Sequence, residues 1–220
     1  MIGDRVNTKP KHKRAAAQIM KLVGDRVTPG TVFTVAGQSG AGKSEIAYEI
    51  ARELEAAGHR AYIFQQDDYF VFPPKTNHNR RVEDIGWVGT QEVHLALLDE
   101  HIAAFKARNP LVIEKPLVIF DEDRIITEKI DLSPFDVAIA EGTYTTLLRN
   151  PDYRVFIDRN YHDTLDDRKD RGREAIDEFS EKIMKIEDAI ISRHRKLANL
   201  VVSRKFEVSF AEHSAPEDLK

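Results

Sequence analysis

The sequence predicts an α/β fold: a central, mostly parallel sheet with helices on both faces. Three observations carry this expectation. Short β-branched or apolar runs recur along the chain as TVFTVA (31–36), AYIFQQ (61–66), FDVAIA (135–140) and RVFI (154–157), the pattern of buried strands. Segments with helical spacing of apolar residues separate them. The first two runs enclose a glycine-rich loop and one such helix, and a βαβ unit of this kind implies parallel strands joined by a right-handed crossover.

Taken in order, residues 1–10 read as a disordered lead-in. A basic amphipathic helix follows from Lys11 to Val23, with Ala16, Ile19, Met20 and Val23 on one face, and Gly24, Pro29 and Gly30 mark its end. Lys43 to Ala57 places Ile46, Ala47, Ile50, Ala51 and Leu54 at helical spacing, with Gly58 as the stop. Asp67 to Gly89 reads as a loop, and Thr90 caps a helix expected over Gln91 to Ala107. Short strands are expected at 112–113, 117–120 and 124–127. A charged helical stretch runs from Asp163 to Ala198, and 200–202 closes the sheet. The expected organisation is an extension over 1–30, one domain over 31–203 with a helical lid at about 160–175, and a polar tail over 204–220.

The chain has 220 residues, 32% charged and 41% hydrophobic, with a net charge of −4. That balance suits one soluble domain and argues against a general nucleic-acid binder, which would show a basic excess. With no cysteine there is no disulfide, thiolate catalysis or Cys-ligated zinc. No apolar run approaches the length of a membrane span, and the polar, basic start lacks a signal-peptide core. A cytoplasmic protein without membrane or nucleic-acid partners is expected, and a homo-oligomer is left open.

The glycine-rich loop is Gly37-Gln38-Ser39-Gly40-Ala41-Gly42-Lys43-Ser44, which matches G-x-x-x-x-G-K-[ST]. Its glycines let backbone N–H groups approach phosphates without a Cβ in the way. The helix that follows turns its positive end towards the same anion. Lys43 supplies a cation for the β- and γ-phosphates, and the Ser44 hydroxyl a ligand for Mg²⁺. The strand before the loop and the helix after it supply the required context, so ATP and Mg²⁺ are the expected cofactors of a three-layer P-loop NTPase fold.

The sequence shows neither D-x-x-G nor N-K-x-D, as a GTPase would, and no Asp-Glu pair ends the FDVAIA strand, as in a large remodelling ATPase. A small-molecule kinase instead needs a carboxylate at the acceptor hydroxyl, a second near Mg²⁺, and a cationic lid. Asp67 or Asp68, just after the second strand, fits the first role, and Glu141, after FDVAIA, fits the second. Both stand at C-terminal strand ends, where open α/β sheets bind ligands. The run containing Arg168, Lys169, Arg171 and Arg173 fits the lid, since guanidinium groups grip phosphate bidentately. Tyr69, Phe70, Arg80, Arg81, Asp84 and Trp87 are candidate acceptor contacts, with Arg80-Arg81 suited to an acceptor's own phosphate or carboxylate.

The segments GQSGAGKS, QQDDYF, FDVAIAEGTY, RVFIDRNYHDTLDDRKDRGRE and RKLANLVV follow one another in an order that resembles the uridine kinase, phosphoribulokinase and pantothenate kinase group of P-loop kinases. The resemblance runs from about Thr31 to Val202, and QDDYF is most similar to its counterpart in nicotinamide riboside and uridine kinases. It implies that Asp67 acts as base, that Glu141 supports Mg²⁺, and that Arg168 and Arg171 belong to the lid. Two segments depart from the group. Asp68-Tyr69-Phe70 stands where uridine kinases favour Ser-Phe-Tyr, and Glu83-Asp84-Ile85-Gly86-Trp87 replaces an aromatic-Asp-His-Pro segment. The implied reaction is γ-phosphoryl transfer to a hydroxyl of a nucleoside or similar metabolite. A sugar phosphate, a sugar acid or pantothenate is the alternative acceptor, and an ATP-driven regulatory switch is the alternative from another class.

One prediction needs the loop motif alone. Lys43→Ala should lower nucleotide-dependent turnover by about two orders of magnitude or more. Steady-state ADP release checks it, and unchanged turnover would remove the loop from the chemistry.

Overall fold

A computed structural model describes residues 6–171 and 177–214. Its main sheet has six strands in the order β2-β5-β1-β6-β7-β8. These are β1 (Val32–Gly37), β2 (Ala61–Gln65), β5 (Val137–Glu141), β6 (Tyr153–Ile157), β7 (Leu200–Val202) and β8 (Val208–Phe210). All pairings are parallel except β7 with β8. Strands β3 (Val112–Ile119) and β4 (Arg124–Asp131) form a separate antiparallel hairpin.

Alternation along β1 builds two cores. Phe33 and Val35 face one layer, where helices α1 (Pro10–Val23) and α2 (Lys43–Ala56) bury Ala15, Ala16, Ile19, Ile46 and Ile50. Val32 and Ala36 face the other, against Leu98, Ile102 and Phe105 of α4 (Leu95–Ala107). The result is the three-layer arrangement expected from the strand and helix pattern.

Several elements differ from the sequence-based expectation. Helix α1 belongs to the first core rather than standing apart from it: Ala15, Ala16 and Ile19 are fully buried. Residues 208–210, expected in a tail, add strand β8 to the sheet edge. The expected loop at 67–89 contains helix α3 (Pro74–Glu83). Its Pro-Pro start looks like a loop in sequence, but the hairpin turn supplies the cap. The Asp123 carboxylate accepts from the backbone N–H groups of Lys75 (2.6 Å) and Thr76 (3.2 Å) and from the Thr76 hydroxyl (2.7 Å).

The expected helix from Gln91 begins only at Leu95, because Thr90–Glu92 forms a 3-10 turn that sends Glu92 inward. The three short strands expected between 112 and 127 merge into the two hairpin strands. The long helix expected over 163–198 is divided into α5 (Leu165–Arg171) and α6 (Glu178–Ile191). Helix α6 has its own N-cap, the Asp177 carboxylate accepting from Ser180 N–H at 2.8 Å.

If α1 is part of the core, Ile19→Ala should cost about 2–4 kcal/mol of unfolding free energy, as other buried large-to-small changes do. Urea unfolding measures this, and a loss below about 0.5 kcal/mol would mean that the helix packs only loosely.

Candidate active site

Strands β2, β5 and β1 lie side by side and in register, with Gln65 beside Glu141 and Glu141 beside Val35. Their C-terminal ends therefore open on one edge. The glycine-rich loop leaves β1 there, Glu141 ends β5, and Asp67 follows β2. A cavity of about 680 Å³ opens on that edge, and Ser39, Lys43, Ser44, Asp67, Glu141 and Arg168 are among the residues that line it.

The loop is held from several sides. The Lys43 ammonium donates to the Gln38 carbonyl at 3.1 Å. The Gln38 side chain donates to the Met184 carbonyl at 3.1 Å and accepts from Ser39 N–H at 3.3 Å, so it ties the loop to α6. Gly42, the N-cap of α2, has a left-handed φ of +100°. Gly40 is also left-handed, and a Cβ there would lie 2.7 Å from Arg168 Cγ. The glycine is thus what lets the α5 arginine cross the loop. Arg168 is buried, its Nη2 donates to the Tyr161 carbonyl at 3.2 Å, and its Nε has no hydrogen-bond partner among the described residues. The Arg171 side chain and all of Arg173 lie outside the described residues.

Ser44 Oγ donates to Glu141 Oε1 at 3.1 Å. Burial, and then the neighbouring Asp67 charge, push the Glu141 carboxyl up to about 7, against the opposing pull of Lys43 and Ser44. Two acidic side chains and a hydroxyl beside a phosphate-type loop form an oxygen donor set that suits a hard cation such as Mg²⁺. Among the described residues, no group of three or more His, Cys, Asp or Glu could hold a metal alone. A cation at this edge would therefore depend on Ser44, water and phosphate oxygens as well.

Asp67 and Asp68 are told apart by their surroundings. Asp67 faces the cavity. Asp68 is buried elsewhere: it accepts from the Lys115 ammonium at 2.9 Å and from Val118 N–H at 3.1 Å, and Lys115 also pairs with Glu128 at 2.7 Å. It docks the hairpin onto the sheet.

Most of the expected acceptor contacts lie away from the cavity. Tyr69 is fully buried, with its hydroxyl 2.8 Å from His101 Nδ1. Arg80 is exposed and pairs with Glu83 at 3.2 Å. Asp84 accepts from Gly86 N–H at 2.9 Å, and Trp87 Nε1 donates to Asn77 Oδ1 at 2.9 Å. Phe70 and Arg81 do line the cavity. The sequence reading did not find Asn77, Phe72, Phe120, Ile183, Met184 or Glu187, which also line it. They come from the loop before α3, from α3 itself, from the hairpin turn and from α6, and no motif marks them. Nor did it find His12 of α1, which packs against Gly42, with Nε2 3.2 Å from where a Cβ would stand, and which burial lowers to about 4.

The fold and the glycine-rich loop are those of P-loop nucleotide-binding proteins, and the chain is similar to uridine kinases in sequence and to a group of small-molecule kinases in fold. A uridine kinase of Lactobacillus helveticus is 28% identical over 185 residues, covering 78% of this chain and 85% of that protein. A solved structure described as a possible uridine kinase from Bacillus stearothermophilus superposes with a TM-score of 0.60 at 18% identity, over 86% of this chain and 97% of the other. Phosphoribulokinase from Rhodobacter spheroides gives 0.58 at 12% identity, over 79% and 69%. No protein-family model matches the sequence. Among the described residues, no helix is long and apolar enough to cross a membrane.

The Glu141 environment predicts a pH effect. Its carboxyl stands at 4.5 when unperturbed and about 7 in the folded chain, so folding favours the protonated form. The metal-free protein should lose stability as pH rises from about 4.5 to 7, and the loss should be complete above that window. Glu141→Gln should flatten this dependence and stabilise the metal-free protein above pH 7 by on the order of 1–3 kcal/mol. Urea unfolding at a series of pH values checks it. A variant no more stable than the parent at pH 8 would show that Glu141 ionises there without penalty.

Proposed function

We propose that the protein is a Mg-ATP-dependent kinase that transfers the γ-phosphoryl group to a hydroxyl of a nucleoside or similar small metabolite. The observation that carries this reading is that Lys43, Ser44, Glu141 and Asp67 line the same cavity as the aromatic side chains of Phe70, Phe72 and Phe120. A hydrolase or a switch has no need of a roomy, aromatic-walled space beyond the γ-phosphate position, whereas an acceptor does.

In this reading the loop N–H groups and Lys43 hold the triphosphate. Asp67 accepts a hydrogen bond from the acceptor hydroxyl and aims its oxygen at the γ-phosphorus. The new O–P bond forms as the bond to the β-phosphate oxygen breaks, ADP departs, and the hydroxyl proton passes to Asp67. In-line transfer through a loose transition state gains most from positioning and charge compensation, so Lys43 and Arg168 matter as much as the base. Mg²⁺, held by Ser44, Glu141 and Asp67 directly or through water, would neutralise charge on the β- and γ-oxygens. Arg168 over Gly40 would shield the reacting phosphate from water.

The direct test is ADP release with Mg-ATP against a panel of hydroxyl compounds, with the product identified by mass spectrometry. One compound should stimulate release and gain a phosphate. ATP bound tightly, with no compound accelerating its turnover, would favour a switch instead. Asp67→Asn should lower kcat by about 10²-fold or more and leave ATP binding within a factor of about three. Asp68→Asn should act mainly on stability, because its partners are Lys115 and Val118. The reverse pattern would move the base to Asp68.

A further inference from the structure

We propose that Gln66 is a positioning residue: clasped by the turn that follows β5, its side chain sets where the Asp67 carboxylate stands relative to Glu141. The proposal rests on the kinase reading above and names what aims the group that receives the acceptor hydroxyl.

The sheet alone does not fix that spacing. The ladder between β2 and β5 ends with Gln65 beside Glu141, and both chains then leave it. Asp67 lies two residues past the last pair, inside the 3-10 turn Gln66–Tyr69. The far end of this turn is held by other elements. Asp68 accepts from Lys115 and Val118 of the hairpin, and the Tyr69 carbonyl accepts from His94 N–H at 2.8 Å. None of these contacts involves β5.

Gln66 makes the link at the near end. It is fully buried, and its Oε1 accepts from Tyr144 N–H at 2.7 Å. On the way its side chain crosses Gly142, the residue after Glu141. A Cβ on Gly142 would lie 2.2 Å from Gln66 Cβ and 2.8 Å from its Cδ, closer than unbonded atoms pack, so the approach needs a glycine. The turn that grips Gln66 is itself anchored to β1. Gly142 N–H donates to the Val35 carbonyl at 3.0 Å, and the Thr145 hydroxyl lies 3.2 Å from both the Val35 and the Gly142 carbonyls. Asp67 and Glu141 are therefore each one residue away from the two halves of a single clasp.

The residue type fits this task better than it fits packing. Gln66 Nε2 is buried with no hydrogen-bond partner among the described residues, and an unpaired buried donor lowers stability. Methionine would fill the same space without that donor, but it would leave Tyr144 N–H without its acceptor. Glutamate would keep an acceptor and add a third carboxylate where Asp67 and Glu141 already repel each other. Asparagine is one methylene shorter. Glutamine is the neutral side chain that reaches Tyr144 with an oxygen. In-line transfer loses rate steeply when a reacting group is misplaced on the ångström scale, so such a clasp bears directly on turnover.

The test has two arms, both on Gln66→Met. In the first, urea unfolding at pH 8 in EDTA compares Asp67→Asn, Glu141→Gln and the double variant. Two carboxylates held close repel, so the double variant should raise the urea midpoint by less than the two single shifts together. With Gln66→Met added to each chain, that shortfall should shrink to about half or less, because the carboxylates can then move apart. A loss of packing alone would lower every midpoint and leave the shortfall as it was. In the second arm, ADP release is measured with Mg-ATP and whichever of uridine, fructose, glycerate and ribulose 5-phosphate stimulates the parent. Gln66→Met should lower kcat about 10-fold with KM for ATP within a factor of about three, and should add no further fall to Asp67→Asn. No shortfall in the parent, a shortfall unmoved by Gln66→Met, or an unchanged kcat would each overturn the proposal. If Gln66→Met does not fold, Gln66→Asn is read in its place, and loss of fold in both would make Gln66 a residue of stability and overturn the proposal too. The first arm needs no turnover. If no compound stimulates the parent, the kinase reading fails and the urea arm decides the clasp by itself.

Discussion

Everything at the site depends on two acidic side chains being brought close together in a buried place. Parallel pairing of β2, β5 and β1 sets Gln65, Glu141 and Val35 at one level, so Asp67, Glu141 and the glycine-rich loop emerge side by side. Asp67 is one reason why the Glu141 carboxyl rises to about 7, and burial is the larger one. Such a pair is unfavourable by itself, and a cation beside it would relieve the strain.

The rest of the structure holds that edge in place. Gln38 ties the loop to α6, and His12 of α1 packs against Gly42. Lys9 and Lys11 at the start of α1 both reach Asp167 of α5 at 3.3 Å, and Arg159 reaches the same carboxylate at 2.9 Å. The first helix, the phosphate loop and the Arg168 helix are therefore mechanically joined. On the other side of the cavity, Asp68 and Lys115 anchor the hairpin, whose Asp123 caps α3. That helix in turn carries Arg81 to the cavity wall. That side of the cavity is thus built by long-range contacts among segments far apart in sequence.

This explains what could be read in advance. The phosphate loop was legible because its chemistry fixes both residue type and spacing over eight consecutive positions. Glu141 and the Asp67-Asp68 pair were legible as carboxylates just beyond buried strands, although the choice between the two aspartates came from a resemblance and not from the pattern. Helix α3 was not legible, since its start is Pro-Pro and its cap is an aspartate 47 or more residues away. The split between α5 and α6 was missed because charged residues continue through both.

By itself, the sequence determined the layered α/β fold, the phosphate loop and the strand-end carboxylates, since these follow from local periodicity and from motifs within single segments. Tertiary structure decided which aspartate faces the cavity, which residues wall that cavity, and how Arg81 is held. Arg80 and Arg81 look equivalent in sequence, yet one projects into solvent and the other is held by two carboxylates, 11 and 106 positions further along the chain. A side chain's charge is written in the sequence, but whether that charge is available depends on which partners the fold brings to it.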